Sequence, residues 1–131
     1  MRFAVLGSGS QGNGTLIASD STYVLVDCGF SLRETERRLV RLGVSPHQLS
    51  AILVTHEHAD HVHGVGLLSR RYNLPVYMSR GTQRGMRKPL EPAGYVAGGE
   101  TLQIGALNIS VTRVAHDAQE PAQYVCNDGH R

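Results

Sequence analysis

The sequence predicts an α+β fold, with a mostly antiparallel sheet that carries helices on one face. Short strands separated by glycines or turn residues open the chain, at Arg2 to Leu6, Thr15 to Ala18 and Tyr23 to Val26. A capped amphipathic helix follows them. Further along, Leu107 to Val114 alternates apolar and polar side chains, which is typical of a half-buried antiparallel strand.

The helix begins after Ser31, which forms a capping-box pattern with Glu34 three positions later. Leu32 and Leu39 fall on one face of the helix, as does Leu42. Gly43 then provides the residue at which a helix commonly ends.

The rest of the chain adds elements of both kinds. An apolar run predicts a buried strand, and the periodicity after it predicts a second helix. In chain order we expect a strand at Ala51 to Val54, a helix at Gly64 to Tyr72, a strand at Pro75 to Met78, a short helix or turn at Arg80 to Lys88, and strands at Thr101 to Ile104 and Gln123 to Cys126. The turn signal at residues 127–129 predicts a hairpin whose returning strand is absent, so we expect residues 1–131 to form the first part of a longer fold.

Length and composition indicate one soluble globular domain. The chain has 131 residues, 40% of them hydrophobic. Its formal net charge of +2 is too small to indicate a nucleic-acid partner by itself. Cys28 and Cys126 form no motif and no disulfide framework, which favours a reducing cytoplasm. No run approaches the roughly 18 apolar residues of a membrane span, so we expect no membrane association.

The glycines near the N-terminus resemble a dinucleotide-binding fingerprint at first sight. Gly7, Gly9 and Gly12 spell GxGxxG after a strand, and Asp27 lies twenty residues beyond Gly7. The fingerprint also requires a helix at the glycines, and the few residues before Tyr23 leave no room for one. We therefore predict a tight turn between two strands, whose backbone approaches the active-site cleft.

The chemistry of the chain is concentrated in the stretch THEHADH, which directly follows the buried strand. His56, His58, Asp60 and His61 are four potential metal ligands within six residues. Imidazole and carboxylate suit zinc, manganese or iron, with zinc as the default. The spacing excludes the helical HExxH motif and favours a loop, in which His56 and His58 converge on one ion while Asp60 and His61 turn toward a second. Two ions about 3.5–4 Å apart would activate a water for hydrolysis.

HEHADH resembles the HxHxDH signature of the metallo-β-lactamase-fold hydrolases, whose fold is an αββα sandwich. Asp27 in VDCG and His116 in VAHDAQEPAQY match further family positions in order. With GSGSQGN near the start, the chain is most similar to a small bacterial subgroup regarded as cytoplasmic phosphodiesterases or exonucleases. The resemblance covers essentially the whole sequence but only the N-terminal half of the family fold, so residues 1–131 are expected to be a truncated half-domain.

This resemblance implies roles for individual residues. His56, His58 and His116 would bind a first metal, and Asp60 with His61 would bind a second. Asp60 would also orient the nucleophilic water, and Asp27 would support the ligand loop. The bridging aspartate and the last histidine of the family belong to its C-terminal half, so the complete fold would hold two divalent ions and these residues one or none.

The substrate is indicated only by charge. Six basic residues and no acidic one lie between Gly64 and Leu90, which suits a DNA or RNA backbone but equally suits a solvated helix face: Arg70, Arg71, Arg80, Arg84, Arg87 and Lys88. The resemblance favours nucleic acid, and a phosphodiesterase or nuclease is the leading hypothesis.

Two alternatives stay open. The same metals could cleave a thioester or an amide. The second alternative is a non-catalytic half-domain. It would leave one sheet face exposed and form a homodimer that covers this face.

Overall fold

A computed structural model describes residues 1–113 and 120–129 of the chain. These residues form a six-stranded sheet and a three-stranded sheet, with four α-helices and one short 3-10 helix. The elements in chain order are β1 (Arg2–Gly7), β2 (Gly14–Ser19), β3 (Thr22–Val26), α1 (Leu32–Arg41), the 3-10 helix (Pro46–Gln48), β4 (Ala51–Leu53), α2 (Ala59–Val62), α3 (Val65–Tyr72), β5 (Val76–Met78), α4 (Arg80–Gly85), β6 (Gly94–Tyr95), β7 (Thr101–Ile104), β8 (Leu107–Arg113) and β9 (Ala122–Asn127).

The larger sheet is mixed, with its strands in sequence order from β1 to β6. Its first half is an antiparallel meander of β1, β2 and β3, as the glycine turns predict. From β3 to β6 the pairings are parallel, because helical segments return the chain to the same edge before each new strand. The prediction of an α+β fold is confirmed. The predicted antiparallel pairing, however, applies only to the first half of the larger sheet and to the smaller sheet. The two-residue strand β6 was not predicted.

Local sequence explains the first helix. The hydroxyl of Ser31 accepts a hydrogen bond from the backbone N–H of Glu34, at 3.2 Å. The Glu34 carboxylate does not complete the capping box but accepts from Arg38 Nε at 2.8 Å, one turn further along the helix. Leu39 is fully buried against the sheet, and Gly43 follows the helix with φ +80°.

The smaller sheet packs on the opposite face of the larger one. Its strand β8 buries Leu107, Ile109 and Val111 and exposes the polar residues between them, so the predicted alternation is confirmed. Leu107 and Ile109 belong to one buried cluster with residues of β3 and β4, namely Val24, Ala51 and Leu53. The helices cover the other face through a second buried cluster. The described residues therefore form three layers: helices, the mixed sheet and the antiparallel sheet.

Strand β1 is the part of the larger sheet that stays uncovered. Phe3 is 76% exposed and Val5 57%, whereas Leu6, on the helix side, is buried. Phe3 pairs with Ile17, which packs in the cluster between the two sheets, so Phe3 lies on the face toward the smaller sheet. The sequence-based expectation of an exposed apolar sheet face is thus too broad. At β3 and β4 this face is covered, and among residues 1–113 and 120–129 its exposed large apolar side chains, Phe3 and Val5, lie on β1.

The parallel strands gather three chain segments at one edge of the sheet. β3, β4 and β5 end at this edge and lead to Asp27, Thr55 and Ser79, respectively. The carboxyl edge of parallel strands is where α/β proteins commonly place their ligands. None of the described helices is long and apolar enough to span a membrane.

Close backbone contacts tie two of these segments together. The N–H of Cys28 donates to the carbonyl of His61, and the N–H of Gly64 donates to the carbonyl of Cys28, each at 2.8 Å. A Cβ atom at Gly29 would lie 1.8 Å from the carbonyl oxygen of Asp60, and one at Gly64 would lie 2.0 Å from that of Phe30. Only glycine fits at these two positions, so the segment after β3 and the histidine loop touch backbone to backbone.

Leu39→Ala is expected to lower the free energy of unfolding by about 2–5 kcal/mol, because it leaves a cavity where α1 meets the sheet. Val40, the next residue, is 63% exposed, so Val40→Ala should change stability by no more than about 0.5 kcal/mol. Urea unfolding followed by circular dichroism measures both variants. Equal effects of the two substitutions would contradict the packing of α1 described above.

Gly29→Ala is expected to destabilise the fold by about 1–3 kcal/mol or to displace the histidine loop, because the new methyl group overlaps the backbone of Asp60. Gly66→Ala provides the matched control. Its Cβ would meet nothing closer than Arg70 Nη1 at 3.4 Å, so alanine within α3 should stabilise the helix by about 0.5–1 kcal/mol. Thermal unfolding distinguishes the two, and a neutral Gly29→Ala would refute the close approach.

Candidate metal centre

Three histidines of the THEHADH stretch lie side by side in the loop after β4. The ring centroids of His56 and His58 are 4.6 Å apart, and those of His56 and His61 are 4.0 Å apart. The loop is extended at His58 and then forms the single turn of α2, which holds Asp60 and His61. The Nε2 atom of His61 lies 3.9 Å from Asp60 Oδ2. The structure therefore places close together the four side chains that the motif predicts as ligands.

The Asp27 carboxylate is hydrogen-bonded to both ends of this loop. Its side chain is buried, with 5% of the residue exposed, and it accepts three hydrogen bonds. Oδ1 accepts from the backbone N–H of Thr55 at 2.8 Å, while Oδ2 accepts from the Thr55 hydroxyl at 2.7 Å and lies 2.7 Å from His61 Nδ1. The backbone of Asp27 has φ +65°, a conformation that aspartate tolerates better than most residues.

The contact with Asp27 also sets the electrostatics of His61. The hydrogen bond with the Asp27 carboxylate is the main cause that raises the pKa of His61; burial opposes it, and the charges of Asp27 and Asp60 add to it. Because Nδ1 faces the carboxylate, the neutral ring carries its proton on Nδ1 and its lone pair on Nε2, which faces Asp60. Histidine ligands of metals are commonly oriented in this way by a carboxylate.

The glycine-rich turn between β1 and β2 reaches the same loop. Asn13 donates from its backbone N–H to the carbonyl of Asp60 at 2.8 Å, and its side-chain amide lies 3.2 Å from Asp60 Oδ2. Sequence analysis predicted that this turn approaches the cleft, but it did not identify Asn13. The available signal was the position of Asn13 at the end of the turn, next to the strand that follows.

The smaller sheet supports the loop from the other side. The hydroxyl of Tyr124 donates to the carbonyl of Val54 at 2.6 Å, and the N–H of Ala122 donates to the carbonyl of Thr55 at 2.8 Å. Burial raises the pKa of Tyr124, so its hydroxyl keeps its proton and acts as a donor. Sequence reasoning missed both contacts, because β9 lies about seventy positions beyond the loop it supports.

The grouped side chains fit a divalent cation in their donor chemistry. Imidazole and carboxylate are ligands that zinc, manganese and iron accept. Within residues 1–113 and 120–129, however, no three His, Cys, Asp or Glu side chains are arranged as ligands of one ion, and the rings of His56 and His58 meet edge to face. A histidine ring can turn about its side-chain bonds when an ion binds, so the grouping of the rings is the more informative observation. His116, the predicted third ligand of the first metal, lies outside the described residues.

The basic residues between Gly64 and Leu90 do not form one surface. Arg70 and Arg71 occupy the last turn of α3, which returns the chain to the edge where β5 begins, away from the histidine loop. Arg80 directly follows Ser79 at the carboxyl edge, and its guanidinium lies 4.2 Å from the ring centroid of Tyr95. Arg84 is exposed one turn further along α4. The sequence run is therefore divided between two ends of the sheet.

Among known proteins, several relatives that are similar in sequence are named as nucleases. Exodeoxyribonuclease YycJ of Bacillus anthracis is 35% identical over 136 residues, which cover 100% of this chain and 52% of the relative. Ribonuclease Z of Methanopyrus kandleri is 35% identical over 114 residues, which cover 79% of this chain and 39% of that enzyme. The chain thus spans about half the length of the exodeoxyribonuclease.

Solved structures share the fold. A B3 metallo-beta-lactamase with an active-site glutamic acid has a TM-score of 0.81 at 22% identity, covering 98% of this chain and 56% of its own. A class B3 di-zinc metallo-beta-lactamase from an Alaskan soil metagenome has a TM-score of 0.77 at 13% identity, covering 92% of this chain and 55% of its own. These likenesses confirm the predicted fold. The family model of the metallo-beta-lactamase superfamily matches residues 7–120, and the chain therefore belongs to this superfamily.

Proposed function

We propose that this chain provides one side of a metal-dependent hydrolase centre that cleaves phosphodiesters at the ends of DNA or RNA. The observation that carries the proposal is the grouping of three histidines beside Asp60, with one of them held by a buried carboxylate. The names of the relatives, an exodeoxyribonuclease and a ribonuclease, support nucleic acid as the substrate.

The proposed roles follow the motif. His56 and His58, together with His116, would hold a first metal ion, and Asp60 with His61 would hold a second. Bound divalent ions of this kind supply an activated water and neutralise charge on the phosphate. Zinc is the proposed metal, with manganese or iron as alternatives. Asp60 orients the attacking water, and Asp27 fixes His61 so that Nε2 faces the centre.

Arg80 and Arg84 are the proposed contacts for the nucleic-acid backbone. Arg80 lies at the carboxyl edge that also presents the histidine loop, and Arg84 is exposed on the same short helix. Arginine binds phosphate oxygens with two parallel hydrogen bonds, which favours it over lysine for this purpose. Arg70 and Arg71 are not part of the proposed contact, because they lie toward the other end of the sheet.

A half-domain that associates with itself is the second candidate. Residues 1–131 would correspond to the N-terminal half of the superfamily fold, and Phe3 and Val5 form an exposed apolar strip on the edge strand β1. Two copies could cover these strips in a homodimer. Light scattering at micromolar concentration measures this directly: a monomer would remove the dimer.

The proposed compartment is the cytoplasm. Cys28 is buried and Cys126 half-buried, and neither forms a disulfide. Burial raises the pKa of both thiols, which makes them poor nucleophiles and thus structural residues.

A protein in which this chain is joined to the second half of the superfamily fold is expected to shorten labelled single-stranded DNA in the presence of Mn²⁺. Asp60→Asn is expected to slow this by at least about 100-fold, because the amide binds metal poorly and cannot orient the water. Asp20→Asn, the same chemical change at an exposed turn residue, is the control and should leave the rate unchanged. Gel analysis of the products measures both. Turnover of a thioester without cleavage of DNA would instead support the alternative hydrolase.

Asp27→Asn is expected to weaken binding of Zn²⁺ by about 10–100-fold, the range for residues that orient a histidine ligand. An amide at this position presents an N–H to His61 Nδ1, so the ring would carry its proton on Nε2, where the ligand lone pair is needed. Competition with a chromophoric chelator measures the affinity. Unchanged affinity in Asp27→Asn, with Asp20→Asn again as the control, would remove Asp27 from the proposed role.

A further inference from the structure

The side chain of Asn13 connects the glycine-rich turn with the carboxylate of Asp60. Its Nδ2 lies 3.2 Å from Asp60 Oδ2, 3.1 Å from the Asp60 carbonyl oxygen and 2.8 Å from the carbonyl oxygen of Gly9. Its Oδ1 accepts from the N–H of Gly9 at 3.1 Å. The two residues are 47 positions apart in the sequence, so the contact is purely tertiary.

We propose that Asn13 is a positioning residue that holds the Asp60 carboxylate in the orientation required at the metal centre. The inference rests on the proposed function, because that function gives Asp60 its task. The amide N–H donates to Oδ2 and so restricts rotation of the carboxylate.

Three features make the contact rigid. The backbone N–H of Asn13 donates to the Asp60 carbonyl at 2.8 Å, and the Asn13 carbonyl accepts from the N–H of Gly29 at 3.0 Å. Gly29 has no side chain, which leaves room for this approach: a Cβ there would lie 2.9 Å from Asn13 N. The backbone of Asn13 is therefore fixed by the backbones of Asp60 and Gly29, and its side chain is fixed by Gly9. None of these bonds involves the Asp60 carboxylate.

A purely structural role for Asn13 predicts different behaviour. If the side chain only closed the glycine-rich turn, Oδ1 would accept from the N–H of Gly9 and Nδ2 would donate to the Gly9 carbonyl. Asn13→Asp would then lose the second bond whatever residue stands at position 60, and adding Asp60→Asn would bring no recovery. A role toward Asp60 requires the amide N–H. Aspartate at this position would place two carboxylates about 3 Å apart, and like charges at this distance repel strongly.

The decisive variants are Asn13→Asp and the exchange of both residues, Asn13→Asp with Asp60→Asn. In EDTA, Asn13→Asp should lower the urea midpoint of unfolding more than Asn13→Ala does, because it adds repulsion to the lost hydrogen bond. The exchange restores an amide and a carboxylate as partners, so its midpoint should recover toward that of the unaltered chain. Asn108→Asp, at an exposed position on β8, controls for the general effect of the added charge.

Metal binding provides a second readout. Asn13→Ala should weaken Zn²⁺ binding by about 10-fold or more, and it should cause no further loss in a chain that already carries Asp60→Ala. If Asn13→Asp is as stable as the unaltered chain, or if the exchange shows no recovery, the inference is overturned. Neither readout needs cleavage of DNA: coupling without cleavage would count against the nuclease proposal, whereas cleavage without coupling would count against Asn13.

Discussion

The buried carboxylate of Asp27 is the interaction on which the candidate centre depends. A charged group with only 5% of its residue exposed is costly unless hydrogen bonds replace the lost water, and Asp27 has three such partners at 2.7–2.8 Å. Two of them come from Thr55 and one from His61. The carboxylate thereby connects the end of β3 with both ends of the histidine loop, and removing it would leave several donors without partners.

Parallel pairing makes this contact possible. Because β3 and β4 run side by side in the same direction, the residues that follow them arrive at one edge of the sheet. Backbone hydrogen bonds between Cys28 and His61 then fix the two segments, and Gly29 allows them to approach. The smaller sheet adds support through Tyr124, which bonds to the carbonyl of Val54. The histidine loop is therefore held from several sides, as a preorganised binding site requires.

The distribution of arginines shows how a linear charge pattern misleads. Arg70, Arg71 and Arg80 appear as one basic segment in the sequence, yet the helix and strand between them separate them across the sheet. Of these three arginines, Arg80 is the one that lies at the edge presenting the histidine loop, next to Tyr95. Electrostatic attraction to a polyanion depends on where charges lie in space and falls off over about 10 Å at ordinary salt. The substrate proposal therefore depends on fewer residues than the sequence indicates.

The sequence by itself determined the features that depend on near neighbours. The grouping of His56, His58 and His61 follows from their spacing, the start of α1 from the Ser31 cap, and the buried face of β8 from simple alternation. Only the tertiary structure decided that β3 to β6 run parallel, that β9 supports the loop and that Asn13 reaches Asp60. Local patterns are encoded within a few residues, whereas these contacts join segments up to about seventy positions apart and arise only when the chain packs.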